Sequence, residues 1–284
     1  MNIVCMRAAG AAAFGLSMAC VAAPAVAAPY AFSTGDPDGK MATASQPASS
    51  GKIEVEAADD FILGSTTSIA SATFSGLLTG DPSTLGEVVV EIYRVFPKDS
   101  ADPPSGHVPT RANSPSDVAF ASRSASAGEL SFVTAALGAF TASNSVLLGI
   151  HPFPNQLTDG EGPVTGQEVR FGVTFTTPLL LPADHYFFVP QVEVGQGQFY
   201  WLSAPKPVAA GTGPFAPDLQ SWIRNENLAP DWLRVGTDIV GQGTFNAAFS
   251  LTGTTVAAIP EPQTFALMLA GLGVLAAAVR CRRA

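Results

Sequence analysis

The sequence predicts an all-β fold: an antiparallel β-sandwich of jelly-roll type with about ten strands, flanked by an N-terminal signal peptide and one C-terminal transmembrane helix. Three observations lead to this prediction. Apolar and polar residues alternate along many short segments, and 27 glycines and 23 prolines mark the turns between them. Charged residues make up 13% of the chain, too few for long charged helices or coiled coils.

The predicted strands fall within residues 52–255, the sandwich ectodomain. In the clearest of them, residues 169–176, valine and phenylalanine alternate with arginine, glycine and threonine, as in a strand with one buried and one wet face. Only residues 218–228 are left as a candidate for a short helix, and the proline-rich stretch 97–117 is expected to lie over one face or rim. The other predicted strands are 53–57, 68–78, 87–93, 117–124, 129–134, 145–150, 185–194, 198–203 and 245–251.

Residues 1–27 are typical of a secretory signal peptide. Arg7 gives a positive start, an alanine-rich apolar run follows, and Ala25-Val26-Ala27 supplies an A-x-A cleavage site. The alternative is a lipoprotein signal in which Cys20 is lipidated, but the leucine usual three residues before that cysteine is missing.

Residues 28–51 are polar and rich in turn formers, which predicts a flexible leader with at most one edge strand.

The C-terminal segment is predicted to cross a membrane. A linker at 256–263 leads into residues 264–279, which carry no charge, and residues 280–284 form a basic tail. A helix over 264–279 is about 24 Å long, short for a bilayer core unless flanking arginines snorkel. Because positive residues stay cytoplasmic, the ectodomain is predicted to lie on the far side of the inner membrane.

Pro260-Glu261-Pro262, the short apolar span and the terminal arginines together resemble the PEP-CTERM sorting signal of Gram-negative bacteria. The resemblance implies that an exosortase recognises Pro260, Glu261 and Pro262, removes the tail and passes the protein to the cell surface or exopolysaccharide matrix. It also implies only a transient association with the membrane. The basic residues of the signal are Arg280, Arg282 and Arg283.

The ectodomain has a looser resemblance to the sandwich ectodomains common among PEP-CTERM proteins. It rests on segments 58–61, 179–188 and 246–253. Those ectodomains mostly have no assigned activity, so the resemblance supports the fold and says little about function.

Cysteine usage and charge exclude several kinds of chemistry for the ectodomain. The three cysteines, Cys5, Cys20 and Cys281, all lie in terminal segments, which leaves no disulfide, thiol nucleophile or cysteine zinc site. Residues 29–259 contain 10 basic and 22 acidic residues, a net charge of −12. Nucleic acid is therefore not expected as a partner.

No cofactor is predicted, although calcium is left open. Two turns offer paired carboxylates to a hard cation: Asp36 with Asp38, and Asp159 with Glu161. Neither turn completes an EF-hand loop, and ordinary solvated turns explain both as well.

Trp222 and Trp232 lie in a polar stretch and are, among the aromatic residues, the best candidates to face solvent. Exposed aromatic rings stack on sugars, so these two are the candidate glycan-binding residues. Core packing is nevertheless the favoured interpretation for both tryptophans.

These observations favour a non-catalytic exported protein of the cell surface or exopolysaccharide matrix. The first alternative is a carbohydrate-binding module of the biofilm matrix, with calcium dependence left open. A glycoside hydrolase is the second, and would need two carboxylates facing each other across a cleft.

Overall fold

The computed structural model describes residues 27–49, 51–81, 84–150, 156–205 and 219–256, together with Gly271 and Gly273. Residues 27–256 form one compact unit. The described part of this unit contains strands and a short π-helical turn at Val235–Ile239. The strands are β1 (Pro29–Ser33), β2 (Met41–Ala44), β3 (Val55–Leu63), β4 (Thr67–Leu78), β5 (Leu85–Arg94), β6 (Ala121–Ser124), β7 (Leu130–Ala142), β8 (Asn144–Val146), β9 (Val164–Leu181), β10 (Asp184–Val194), β11 (Phe199–Ala204), β12 (Trp222–Asn225), β13 (Leu233–Arg234), β14 (Asn246–Ala247) and β15 (Phe249–Thr255).

The strands form two sheets, which confirms the all-β prediction. The larger sheet has nine strands; β4 is central, with β9 and then β7 on one side and β15, β1, β11, β2 and β8 on the other, and β14 pairs with β11. The smaller sheet runs in the order β13, β12, β3, β10, β5 and β6. Every pairing is antiparallel except that of β2 with β8. The finer jelly-roll connectivity remains a prediction.

The main core lies between the two sheets and is rich in phenylalanine. The alternation along β9 directs Val169, Phe171, Val173 and Phe175 inward, as the sequence pattern predicts. Phe171 stacks on Phe74 of β4 with ring centroids 4.9 Å apart. Across the sheets, Phe188 of β10 stacks on Phe249 of β15 at 5.1 Å. Burial of these large side chains holds the sheets together without a disulfide.

The predicted flexible leader is wrong in part: it holds the edge strand that the sequence allowed for, β1, but also the buried strand β2. Residues 29–33 and 41–44 form β1 and β2, which pair with β15 and β11. Met41, Ala42 and Ala44 are buried within the fold. The local composition is polar and turn-rich, but burial here depends on strands more than 150 residues away, which a local pattern does not show.

The candidate helix at 218–228 is also wrong for the described residues from 219 onward. Trp222–Asn225 form β12, which pairs with β3 and β13. The stretch 97–117 does lie over one face, the outer side of the smaller sheet: Ser116 is buried there, and its carbonyl oxygen accepts a hydrogen bond from the Trp232 indole.

The predicted terminal segments lie outside the described residues: 1–27 except Ala27, 264–279 except Gly271 and Gly273, the basic tail 280–284, and the linker beyond Val256. Within the described ranges, no helix has the length and apolar character needed to span a membrane.

Candidate functional site

Five neighbouring strands of the larger sheet turn small, mostly hydroxyl-bearing residues outward. The outward residues form two rows across β1, β15, β4, β9 and β7, set by the strand register. Ala31, Thr252, Ser71, Thr174 and Ser131 form the first row, and Ser33, Ser250, Thr73, Gly172 and Val133 form the second. We call these ten residues the hydroxyl face.

The hydroxyl face follows from the same alternation that builds the core. In β4, Ala72 and Phe74 are buried while Ser71 and Thr73 point outward. Neighbouring strands are about 4.8 Å apart, and the two rows are separated by two residues, about 7 Å. Because the side chains are short, few of them project from this surface, and neither row contains a charged residue.

Hydroxyls on neighbouring strands bond to each other. Ser71 Oγ lies 2.6 Å from Thr252 Oγ1, and Thr73 Oγ1 lies 2.5 Å from Ser250 Oγ. Each hydroxyl has one donor and two acceptor positions, so a bonded pair retains acceptor capacity toward solvent or a ligand. The pairs also fix the side-chain rotamers and thereby order the face.

A shallow depression of about 300 Å³ opens at one end of the face. Arg170 of β9 donates from Nη2 to Asp36 Oδ1 at 2.9 Å along its rim, and Ser33 and Ser75 also line it. The side chain of Asp36 is 88% exposed and that of Arg170 is 45% exposed. An ion pair this exposed is weak, so both groups remain available to a ligand as donor and acceptor.

The structure buries Trp222 and Trp232, the candidate glycan-binding residues, as the favoured core interpretation predicts. Both are 0% exposed and pack on the outer side of the smaller sheet with Tyr93 and Phe187, and the Trp232 indole donates to the carbonyl oxygen of Ser116 in the stretch 97–117. Arg224 lies over the Trp232 ring at 4.3 Å. The two tryptophans therefore fill a second core and form no platform for sugars.

The structure does not bring the predicted calcium ligands together into a metal site. Asp36 pairs with Arg170, and Asp38 Oδ1 accepts from Ser203 Oγ at 2.6 Å. Asp159 occupies a turn with a φ of 64°, and its carbonyl oxygen accepts from the Asn144 side chain. Within the described ranges, no group of three histidine, cysteine, aspartate or glutamate side chains is placed to hold a metal ion.

Glu161 has a structural role instead. Its carboxylate accepts hydrogen bonds from the backbone N–H groups of Leu147, Leu148 and Gly149 at 2.6–2.9 Å. This arrangement shapes the turn after β8.

A buried ionic cluster lies on the outer side of the smaller sheet. The Tyr93 hydroxyl is 2.6 Å from Glu56 Oε1 and 2.9 Å from Glu91 Oε2, and Arg224 pairs with Glu56. Burial, helped by the charge of Glu56, raises the pKa of Glu91 to about 7. Two carboxyl groups are thus close, but the Tyr93 hydroxyl sits between them and Glu56 is only 4% exposed.

The sequence reasoning missed the hydroxyl face, although a signal for it was present. Serine and threonine occupy alternate positions in Ser71–Ser75 and Ser250–Thr254, with apolar residues or glycine between them. The apolar positions predict the strands, whereas the signal for this face lies in the chemical uniformity of the outward positions.

The described body is thus an all-β protein of two sheets with one bare, hydroxyl-rich face. At its C-terminal end, residues 258–283 match the PEP-CTERM protein-sorting motif, which confirms the resemblance drawn from Pro260, Glu261 and Pro262. The motif implies exosortase recognition, export and sorting toward the cell surface. No curated protein matches the chain, and no solved structure matches it.

Proposed function

We propose that this protein is a non-catalytic component of the cell surface or exopolysaccharide matrix that holds neutral polysaccharide on its hydroxyl face. The observation that carries the proposal is the pair of uncharged cross-strand rows on five neighbouring strands, left bare on the outside of the larger sheet.

The chemistry of the face fits a chain of neutral sugars. Sugar hydroxyls both donate and accept, and so do serine and threonine hydroxyls, so a polysaccharide lying along the rows can exchange its water hydrogen bonds for bonds to protein. Each bond contributes little, but many act together along a polymer. Arg170 and Asp36 add a charged donor and a charged acceptor at the end of the face.

Net charge favours a neutral polymer over an anionic one. The ectodomain carries a charge of −12 between residues 29 and 259, which repels uronic-acid or sulfated chains at low salt. The alternative of an aromatic carbohydrate-binding site would need residues other than Trp222 and Trp232.

The test is affinity electrophoresis of residues 27–256 through gels that contain either a neutral or an anionic exopolysaccharide. We expect retardation in the neutral gel, reduced in Thr73→Val/Thr252→Val and in Arg170→Met, because these changes remove hydroxyls or the charged donor. Ser122→Ala, an exposed hydroxyl on the smaller sheet, is the matched control and should migrate like the parent. Equal mobility with and without polysaccharide would overturn the proposal.

Two further arms of this experiment address calcium and catalysis. Repeating the gels with EDTA tests whether binding depends on calcium, because EDTA would then abolish the retardation. The two neighbouring carboxyl groups of Glu56 and Glu91 are the pair to test for hydrolysis, so release of reducing ends is followed in parallel with Glu91→Gln. Hydrolysis that Glu91→Gln abolishes would replace the non-catalytic proposal.

Processing of the tail is tested by intact mass. We expect the mature protein from the producing cell to lack Arg282 and Arg283, because an exosortase removes the segment after the Pro260-Glu261-Pro262 motif. A mature mass that includes these arginines would mean that the tail is retained as an anchor.

A further inference from the structure

The outermost strand of the larger sheet offers a free edge. In the described part of the chain, β7 pairs with β9 and with no other strand. Its thirteen residues include no charged side chain, and most of them are exposed. Natural edge strands are usually protected by charge, proline or a covering segment, because unpaired backbone groups recruit another strand.

The first half of β7 is regular and open to a partner. The pairing of Leu130–Ala136 with β9 is continuous, and the register shifts only between Ala136 and Gly138. Val133, at the centre of this seven-residue segment, is 74% exposed. Val133 lies beside Gly172 of β9, and a Cβ atom added to Gly172 would lie 3.3 Å from the Cγ2 methyl of Val133.

The edge itself fits an uncharged partner strand, because none of the thirteen residues of β7 is charged. A second copy carries the same negative net charge, but this repulsion acts away from the contact and is screened beyond about 8 Å at physiological ionic strength. A second copy of the same edge brings no charge to be desolvated at the contact. It also brings an identical seven-residue segment, which pairs with itself in antiparallel orientation about a two-fold axis.

We propose that the protein forms a two-fold dimer by antiparallel pairing of residues 130–136 with the same residues of a second copy, with Val133 on the axis. Val133 then faces its own copy, Ser131 faces Ala135, and Phe132 faces Thr134. Residues that face each other in such a pair lie on the same side of the sheet.

The dimer places both hydroxyl faces on one side of a continuous sheet. The axis runs perpendicular to the sheet, so Ser131 and Val133 of both copies lie on the common outer surface. The bare surface then extends over the five strands of each copy, twice the width in one protomer. The pairing itself uses only the edge and does not depend on the proposed polysaccharide binding.

A charge-swap experiment tests the dimer by sedimentation velocity over a concentration series, with residues 27–256, which form one compact unit. We expect the parent to be dimeric and Val133→Lys and Val133→Glu each to raise the dimer Kd by about tenfold or more, because like charges then face each other on the axis. An equimolar mixture of the two variants should recover a heterodimer. Recovery also shows that each variant is folded.

Leu148→Lys is the matched control, because Leu148 is 80% exposed but lies outside β7. It should leave the Kd unchanged. A parent that stays monomeric throughout the series would overturn the proposal, as would a dimer that survives both charges at residue 133.

A disulfide provides a second readout. The segment 27–256 has no cysteine, so Val133→Cys introduces a single thiol on the proposed axis, where facing residues lie at a separation that a disulfide accepts. We expect mild oxidation to give a covalent dimer from Val133→Cys and not from Leu148→Cys. Equal crosslinking of the two variants would contradict this register.

Discussion

The outer sides of the two sheets differ in whether other parts of the chain cover them. The outer side of the smaller sheet is covered: Trp222 and Trp232 are buried there, Trp232 bonds to Ser116 of the stretch 97–117, and Arg224 and Glu56 pair beside them. Within the described ranges, the outer side of the larger sheet is bare over five strands and presents serine and threonine. Large aromatic residues in a polar stretch therefore mark the covered side here, while short hydroxyl residues mark the side available to a partner.

The largest difference between the two sides is expected for truncation of a tryptophan. Trp232→Ala removes a fully buried side chain and should lower the free energy of unfolding by about 3–5 kcal/mol. Leu180→Ala, at a 62% exposed leucine of β9, should change it by less than about 0.5 kcal/mol. Urea denaturation measures both, and similar losses would refute the distinction between a covered and a bare side.

Replacing an arginine on each side should give the second largest difference in stability between the covered and the bare side. Arg224→Met leaves Glu56 buried without its cation and should destabilise the fold by about 3 kcal/mol. Arg170→Met breaks only the exposed pair with Asp36 and should cost less than about 1 kcal/mol.

The matched rescue is Arg224→Met/Glu56→Leu, which replaces the buried pair by apolar groups and should restore part of the lost stability in the same denaturation experiment. If the double variant is no more stable than Arg224→Met, the loss does not come from the stranded carboxylate.

The pH dependence of stability should also come from the covered side. Because the pKa of Glu91 is about 7 in the folded protein against an ordinary 4.5, the folded state keeps its proton while the unfolded state loses it. The contribution of Glu91 therefore lowers the free energy of unfolding as pH rises from about 4.5 to about 7, by about 1–3 kcal/mol. Glu91→Gln should remove that decline in urea titrations across this range.

Glu87→Gln is the control for this titration. Hydrogen bonding to Ser126 lowers the pKa of Glu87, so both folded and unfolded states are ionised above pH 5 and its replacement should leave the decline in place. A decline that persists in Glu91→Gln would assign it to another group.

The smallest effect is expected for the hydroxyls themselves. Ser71→Ala/Thr252→Ala removes the 2.6 Å bond between two wet side chains and should change the free energy of unfolding by less than about 0.5 kcal/mol. Thermal unfolding measures this change. A loss above about 1 kcal/mol would mean that the hydroxyl pairs contribute substantially to the stability of the fold.

The sequence predicted the strands in which buried and exposed residues alternate, such as β9 and β5. It did not predict β1 and β2, because the sequence around them is polar and turn-rich. These strands pair with β15 and β11, which lie far along the chain. It mistook β12 for a helix because a four-residue strand carries too little periodicity to outweigh its neighbours.

The candidate sites depended on contacts across the fold. The polar stretch around Trp222 and Trp232 left a glycan-binding role open, and their burial depends on contacts across the fold, such as the bond from Trp232 to Ser116 about a hundred residues earlier. The hydroxyl rows depend on the register of five strands, four of which the sequence had located without pairing them. Pro260, Glu261 and Pro262 needed no tertiary context, because a sorting motif is a linear signal.

The pairing of β1 with β15 has a mechanical consequence. The chain enters the ectodomain beside the point where it leaves it, since the backbone N–H of Thr255 donates to the carbonyl oxygen of Ala28. The last strand is consequently enclosed by a hydrogen-bond ladder on each side, to β1 and to β4. Tension applied through the C-terminal end must strain both ladders together, so β1 acts as a latch against peeling of the strand that carries the load.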